Sequence, residues 1–362
     1  MEQGHAVKVL DLPTSTKVVQ SRLVHPSVEY VPYQLGCMDP NKNVGTSRKQ
    51  HAALVEALHQ AETAYSVVTP DVQKGTIREF DITNRLGLQH LVTACQLAGV
   101  PKLVHASSLA VTNHLRPSVN ETENDPLPPM ESYISWYDRT KRLGEEIVLQ
   151  ANDEHHFRTC SLRLGGLIAS PNDFTFRTHF QTGSAIGRIF MSPCQPIDFI
   201  AASDVATAMA LASTKLDSDS LTSQTNELAG RAVFVTKSRN AVVPSAEELA
   251  HYLAHLMGWS VIMVPRWVIS TMQSVAKMQH TAISALTSRP DDLPGVPTHV
   301  FLDYTNHEKT FDNSLAYQLL GFQPELSWEQ AVEAIVDDYC SSMASPKTMA
   351  KRFKASTTKR TK

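Results

Sequence analysis

The stretch that decides the fold runs from Ser107 to Lys141, and its last ten residues read Ser132-Tyr-Ile-Ser-Trp-Tyr137-Asp-Arg-Thr-Lys141. After Lys141, apolar residues recur at the spacing of one helix face, at Leu143, Ile147, Val148 and Ala151. This pattern predicts a helix that carries Tyr137 in its first turn.

Tyr137 and Lys141 are four residues apart, so on a helix the phenol and the ammonium project from the same face. A phenol with a pKa of about 10 is a poor base at neutral pH, and lowering that pKa by roughly 3 units requires about 4 kcal/mol of preference for the phenolate. A cation about 4 Å away, at an effective dielectric constant of about 20, supplies about that much. The spacing therefore predicts a base that can remove a hydroxyl proton without a histidine.

A second pattern lies upstream, where Lys102-Leu-Val-His-Ala-Ser-Ser108 reads as a buried strand that ends in two serines. Open α/β sheets place their ligands at the carboxyl ends of parallel strands. The hydroxyl of Ser108 is therefore expected at a ligand-binding edge.

These residues resemble the extended short-chain dehydrogenases/reductases along most of the chain. The family's Ser-Ser-x-x-Val pattern falls on Ser108 with Val111, and its Tyr-x-x-x-Lys pattern falls on Tyr137 and Lys141. Within that superfamily the sequence around these motifs is most similar to the branch of 3β-hydroxysteroid dehydrogenases and sterol-4α-carboxylate 3-dehydrogenases.

The resemblance implies an α/β fold with a Rossmann-like, doubly wound parallel sheet. We expect an NAD-binding domain at residues 1–170 and a smaller mixed α/β, mainly substrate-binding part at residues 171–344. Residues 196–212 are expected to return to the Rossmann core, with Asp204 capping a helix. Residues 345–362, with seven basic side chains and no acidic one, are expected to form a disordered tail.

The implied activity is NAD(P)-dependent oxidation of the 3β-hydroxyl of a steroid or sterol, with decarboxylation if the substrate carries a 4-carboxyl group. Tyr137 would take the hydroxyl proton, Lys141 would lower the pKa of Tyr137 and hold the nicotinamide ribose, and Ser108 would orient the substrate oxygen. Asn84, in Asn84-Arg-Leu-Gly87, matches the asparagine that supports the family's active site; a capping or turn role is the alternative. A related aldehyde or flavonoid-type reductase, a nucleotide-sugar epimerase and a non-catalytic scaffold stay open.

The cofactor residues follow from the same resemblance. Asp11 ends a short strand at the position where dinucleotide folds hold the adenosine ribose, which favours NAD, with NADP as the alternative. Gln34 stands where the family has an aspartate that touches adenine. Leu164 and Leu167 lie in the segment expected to pass over the nicotinamide.

The strand that ends at Asp11 corresponds to the second strand of a Rossmann sheet. The 362 residues contain no Gly-x-x-Gly-x-x-Gly turn. We expect that the sequence upstream of Met1 encodes, in frame, the first strand and this turn, and that without them the second and third strands separate from the rest of the sheet. We expect the chain without them to bind nicotinamide nucleotides poorly. The alternative is a chain that has lost cofactor binding.

The bulk composition excludes some functions. A formal charge of −3 provides no basic field for nucleic acid. Five cysteines without a C-x-x-C pair favour a reducing compartment, and therefore a cytoplasmic protein. The resemblance to sterol enzymes implies, at most, a peripheral contact with the endoplasmic reticulum. His251 and His255 have the spacing of a zinc-protease helix, but Tyr252 stands where that motif has glutamate, so no metal site is predicted.

Residues 261–280 are apolar in patches but too interrupted to span a membrane. They read as a substrate-cap or interfacial helix, with ordinary core packing as the favoured alternative.

The expected partners are a sterol or steroid substrate, a membrane surface touched peripherally and a second copy in a homodimer. The sequence also predicts a buried strand at residues 63–69, a helix at residues 80–98 and a capping box that starts a helix at Ser245.

Overall fold

The computed structural model of the protein describes residues 5–12, 27–35, 44–113, 116–217, 226–237 and 242–343. The predicted tail lies outside them. The strands are β1 Val7–Asp11, β2 Val28–Pro32, β3 Ala64–Ser66, β4 Lys102–Ser108, β5 Ser118–Glu121, β6 Arg158–Leu164, β7 Gly166–Ile168, β8 Arg188–Met191, β9 Phe199–Ala201, β10 Arg231–Val235, β11 Ser260–Met263 and β12 Lys309–Phe311. The helices are α1 Val44–Leu58, α2 Ile77–Phe80, α3 Leu88–Ala98, α4 Trp136–Gln150, α5 Arg177–Ile186, α6 Ala202–Asp217, α7 Ala246–Met257, α8 Arg266–Leu286, α9 Thr298–Tyr304, α10 Ser314–Leu320 and α11 Trp328–Met343.

The main sheet has four parallel strands in the order β10-β6-β4-β3. β4 lies inside it, and six of its seven residues are buried because helices cover both faces of the sheet. α4 packs on one face and α6 on the other, as expected for a doubly wound sheet. The predicted α/β Rossmann-like fold is confirmed.

β1 and β2 pair with each other in parallel and, among the described residues, form a sheet separate from the main one. The prediction that these two strands separate from the rest is confirmed. As a consequence β3 lies at the edge of the main sheet, and Tyr65 and Val67 are 46% and 64% exposed. The prediction of a buried strand at residues 63–69 was therefore wrong in part: only Ala64 and Ser66 of β3 are buried.

Two apolar clusters line the main sheet, one on each face, and a third forms a second core. α6 contributes Val205, Ala208, Met209, Ala212 and Leu216 to the cluster beside β4 and β6, so this segment does lie against the Rossmann core. The second core joins α5, β9, α7 and α11. The division of the chain at residue 170 stays a prediction.

Asp204 does not have the role predicted from the sequence. It is the third residue of α6, and its carboxylate accepts hydrogen bonds from the backbone N–H groups of Glu325 (2.9 Å) and Leu326 (3.4 Å). The carboxylate therefore fixes the segment before α11 instead of capping its own helix. At Ser245 the predicted capping box is present, with Glu248 as its partner.

α8 covers most of residues 261–280, the stretch predicted to form a substrate-cap, interfacial or core helix. None of its residues is buried, and Trp267, Met278 and Leu286 are 71%, 69% and 86% exposed. The favoured alternative of ordinary core packing is thus wrong. None of the helices in the described ranges has the length and hydropathy that a membrane span requires.

Candidate active site

The sheet and α4 meet at the carboxyl end of β4. Ser108 is the last residue of that strand, and its hydroxyl accepts a hydrogen bond from the backbone N–H of Ala110 at 3.1 Å. Ser135 caps α4 by accepting from the backbone N–H of Asp138, which fixes the first turn of the helix. Tyr137 is the second residue of α4, as the sequence predicted.

The structure brings Ser108 and Tyr137 together. The Ser108 hydroxyl lies close enough to the phenol of Tyr137 to act on its pKa, and the ring of Phe80 contacts that of Tyr137 edge-on, with centroids 5.6 Å apart. Burial raises the pKa of Tyr137 to about 12; the nearby hydroxyl of Ser108 acts in the opposite direction and the charge of Asp138 adds to the increase. The lowering of this pKa expected from Lys141 is not found in the protein alone.

Lys141 lies one turn further along α4 and is 5% exposed. Its ammonium donates a hydrogen bond to the backbone oxygen of Ala106 in β4 at 3.0 Å. Burial lowers the pKa of Lys141 to about 8, and the carboxylate of Glu145 opposes this decrease. The lysine is therefore held at the end of the strand that carries Ser108.

Asn84 lies in a π-helical segment, Asp81–Gly87, between α2 and α3. It is buried, and its side-chain N–H₂ donates to the hydroxyl of Thr140 at 3.1 Å, next to Lys141 in α4. Its side-chain oxygen has no hydrogen-bond partner among the described residues. The alternative role as a capping or turn residue is excluded, because Asn84 is inside the helical segment. π-Helical turns are frequent at functional sites.

The predicted cofactor residues are distributed over separate elements. Asp11 ends β1, where its carboxylate accepts from the backbone N–H of Leu12 at 2.7 Å. Gln34 follows β2 and is exposed. Leu164 ends β6 directly beside Ser108 in the sheet register, whereas Leu167 lies in β7 opposite Ile200.

The two leucines pack with their side chains on the apolar cluster beside α6. Only their backbone groups are therefore suited to polar contacts with a ligand. The structure does not test the binding roles predicted for these four residues.

Sequence reasoning missed Glu145 and Arg163, which form a buried ion pair behind the candidate site. It also missed Tyr304, at the end of α9. Tyr304 is close enough to Asp138 and Tyr137 for their charges to raise its pKa, although burial is the larger cause. The position of Glu145, four residues after Lys141 on the same helix face, was the available signal.

A parallel doubly wound sheet, with Ser108, Tyr137 and Lys141 at the carboxyl end of one of its strands, defines the class of extended short-chain dehydrogenases/reductases. The model of one family within this class matches residues 43–260, which is more than half of the chain. The chain belongs to the 3-beta hydroxysteroid dehydrogenase/isomerase family.

Relatives among characterised proteins have similar names. The chain is 25% identical over 314 residues to 3beta-hydroxysteroid-dehydrogenase/decarboxylase isoform 1 of Arabidopsis thaliana, covering 84% of this chain and 69% of that protein. It is 25% identical over 291 residues to the human sterol-4-alpha-carboxylate 3-dehydrogenase, decarboxylating, covering 79% of this chain and 74% of that protein. Against Arabidopsis isoform 2, the match spans 51% of the length of that protein.

Solved structures share the fold. A UDP-glucuronic acid 4-epimerase from Bacillus cereus, in complex with UDP-glucuronic acid and NAD, has a TM-score of 0.63 and 18% identity, over 94% of this chain and 93% of that chain. A UDP-galactose 4-epimerase has a TM-score of 0.64 and 15% identity, over 95% and 93% of the two chains. At these identities the likeness establishes the Rossmann-type fold.

Proposed function

We propose that this protein is an NAD-dependent dehydrogenase that oxidises the 3β-hydroxyl of a sterol. The observation that carries the proposal is the placement of Ser108 at the end of β4, of Tyr137 in the first turn of α4 and of Lys141 one turn further along, bound to the backbone oxygen of Ala106 in β4. The family and the names of the relatives support a sterol as the substrate.

In the proposed reaction Ser108 donates a hydrogen bond to the substrate oxygen, and Tyr137 accepts the hydroxyl proton. Proton transfer requires the phenolate, which the protein alone disfavours because the phenol is buried. A substrate hydroxyl seated between Ser108 and Tyr137 and the positive charge of Lys141 both favour the phenolate. Lys141 must therefore be protonated for the reaction to proceed.

The nicotinamide ribose half of NAD fits the residues of the site. The ammonium of Lys141, held at β4, offers a donor, and the side-chain oxygen of Asn84, which lacks a partner among the described residues, offers an acceptor. When bound, NAD supplies the acceptor for the hydride from C3 of the substrate. Backbone groups of Leu164 and Leu167 would hold the nicotinamide by hydrogen bonds.

Asp11 and Gln34 are proposed to hold the adenosine end. A carboxylate at the end of β1 accepts hydrogen bonds from a ribose 2′-hydroxyl and repels a 2′-phosphate, which favours NAD over NADP. The glycine-rich turn that would receive the pyrophosphate is not present in the sequence, so no role in phosphate binding is assigned to these residues.

Decarboxylation follows from the chemistry of the product if the sterol carries a 4-carboxyl group. Oxidation at C3 then gives a β-keto acid, in which the ketone can accept the electron pair released when carbon dioxide leaves. The step needs no additional side chain, so the same site supports both reactions.

A peripheral contact with a membrane, at the cytoplasmic face of the endoplasmic reticulum, is a further part of the proposal. α8 exposes Trp267, Met278 and Leu286, and the helix also carries the basic residues Arg266 and Lys277. Apolar and basic side chains on one exposed helix are typical of interfacial helices, and sterol substrates dissolve in membranes. Association as a homodimer stays a prediction.

The test is turnover by the full-length protein. A 4-carboxysterol with a 3β-hydroxyl, presented in detergent micelles with NAD, should give NADH and carbon dioxide, whereas the 3α-epimer should give neither. Conversion of a UDP-sugar into its epimer without net formation of NADH, or reduction of an aldehyde with NADPH, in the absence of sterol oxidation, would favour the other enzymes of this fold. Absence of all turnover would favour a scaffold.

A further inference from the structure

Glu145 lies behind the candidate site, and the mechanism proposed above does not use it. It is the fourth residue after Lys141 in α4, and it is 1% exposed. A carboxylate taken out of water to this extent is unfavourable unless donors satisfy it. Its partners therefore define what it does.

Two residues from neighbouring strands satisfy the carboxylate. Ser107, in β4, donates from its hydroxyl to Oε2 at 2.7 Å. Arg163, in β6, donates through Nη2 to Oε1 at 2.8 Å and through Nε to Oε2 at 3.1 Å. Glu145 therefore ties α4 to both strands at once.

This cluster is in register with the candidate site. Ser107 pairs with Arg163 in the sheet, and the next pair along the strands is Ser108 with Leu164. Any displacement of the Glu145 carboxylate is transmitted to the residue that precedes Ser108. The same carboxylate lies one helical turn from Lys141, so it can act on the position of Ser108 and on the charge of Lys141.

The charged and titratable groups around Lys141 decide its protonation. Along α4, Tyr137 lies one turn before Lys141 and Glu145 one turn after it. His105 in β4 is close enough to interact with the charge of Lys141, and Arg163 in β6 is linked to the lysine through its pair with Glu145. His105 is buried and its pKa is well below its usual range, because burial and the charge of Lys141 both disfavour the imidazolium. The charge that favours the lysine ammonium is that of Glu145.

We propose that Glu145 is a positioning residue, which holds the end of β4 in place through Ser107 and Arg163 and places a carboxylate one helical turn from Lys141. For catalysis the inference rests on the proposed dehydrogenase function. Its electrostatic part concerns the protein alone and can be tested without turnover.

The experiment compares Glu145→Gln with the double variant Glu145→Gln/Arg163→Gln. The single variant leaves a buried guanidinium without its counter-ion and can fail to fold, whereas the double variant removes both charges. Ser107→Ala is the matched control, since it removes one hydrogen bond and leaves the carboxylate. Asp217→Asn is the remote control, because it breaks the pair with Lys102 at the opposite end of β4.

The first readout is the titration of Lys141, followed by NMR of protein labelled at lysine ¹³Cε and assigned with Lys141→Met. Loss of the Glu145 charge alone should lower the midpoint by about 1 pH unit, and the double variant should lower it by less, because it also removes the positive charge of Arg163. Ser107→Ala and Asp217→Asn should leave the titration midpoint of Lys141 unchanged. An unchanged midpoint in both glutamine variants would overturn the inference.

The second readout is the pH profile of kcat/KM. The activity of the wild-type protein should fall as Lys141 loses its proton. This alkaline limb should move to lower pH in Glu145→Gln, with a loss of about tenfold at pH 9, and should move by less in the double variant. A shifted Lys141 titration in a protein without any sterol turnover would reject the proposed function and leave the role of Glu145 standing. A uniform loss of activity with an unshifted limb would mean that the ion pair only supports the fold.

Discussion

The backbone oxygen of Asn84 lies 2.4 Å from the position that a Cβ atom on Gly144 would occupy. α4 and the π-helical segment therefore approach each other more closely than any side chain would allow. This contact sets the position of Asn84 relative to Thr140 and Lys141, which lie in the same part of α4.

Replacing Gly144 with alanine should therefore disturb the site as well as the fold. The methyl group would meet backbone atoms, so the two helices must separate, at a cost of about 1–3 kcal/mol in the free energy of unfolding. We expect kcat/KM to fall at least tenfold, because Asn84 moves away from Thr140. Urea unfolding and steady-state kinetics measure the two effects.

Gly183→Ala is the matched control for this prediction. Gly183 is also a buried helical glycine, and a Cβ atom there would lie 2.2 Å from the ring of Trp259, in the second core. This variant should lose stability and keep its kinetic constants. Equal losses of activity in the two variants would contradict a specific role for the Gly144 contact.

Tyr137→Phe should remove nearly all turnover, since only the proton acceptor is lost. We expect a decrease in kcat of about 10²–10⁴-fold, with the dissociation constant of the nucleotide unchanged. Tyr133→Phe is the control, because the hydroxyl of Tyr133 donates to the backbone oxygen of Val111 and supports the fold. It should lower stability by about 1 kcal/mol and keep turnover. Activity of Tyr137→Phe within a few-fold of the wild type would reject the assignment.

Asp11→Asn should change the choice of cofactor. Without the carboxylate, the repulsion of a 2′-phosphate disappears, so the ratio of kcat/KM for NAD to that for NADP should fall about tenfold or more. Glu29→Gln, an exposed charge on the neighbouring strand β2, should leave the ratio unchanged. Equal use of NAD and NADP by the wild-type protein would contradict the role proposed for Asp11.

Stability should fall as the pH rises from about 4 to about 7. Burial raises the pKa of Asp198 to about 7, while its bond from the Phe311 N–H opposes the increase. In this window the unfolded state has lost the proton that the folded state keeps, so raising the pH favours unfolding. The pKa of Asp138 is likewise raised to about 7 by burial, so both carboxyl groups contribute.

Asp198→Asn removes one of these contributions and keeps an acceptor for Phe311. Urea unfolding at pH 4, 5.5 and 7 should show a shallower decrease for the variant, with a difference on the order of 2–4 kcal/mol across the window. A decrease as steep as that of the wild type would show that Asp198 is already ionised in the folded protein.

The exposed face of α8 should bind membranes. Trp267→Ser with Met278→Ser should reduce flotation of the protein with vesicles of phosphatidylcholine and phosphatidylserine at least several-fold, because it removes apolar contact with the bilayer. Val119→Ser, at an exposed apolar residue of β5 that is 63% exposed, is the control and should not change flotation. Flotation equal to that of the wild type would argue against a membrane contact at α8.

The sequence predicted those features that depend on residues close together in the chain. Ser108 at the end of a strand, Tyr137 in the first turn of a helix and the capping box of Ser245 with Glu248 all follow from local patterns. Their geometry is set within a few residues, so spacing and residue type were sufficient. The family resemblance then supplied the order of the strands.

Only the tertiary structure decided which distant residues meet. The carboxylate of Asp204 turned out to bind Glu325 and Leu326, more than a hundred residues away, and Glu145 to bind Arg163 across two elements. The exposure of α8 could not be predicted either, because an apolar helix face reads the same whether or not another element covers it. Hydrophobic pattern and spacing describe what a segment can bury or bind, whereas its actual partners depend on how the elements pack in three dimensions.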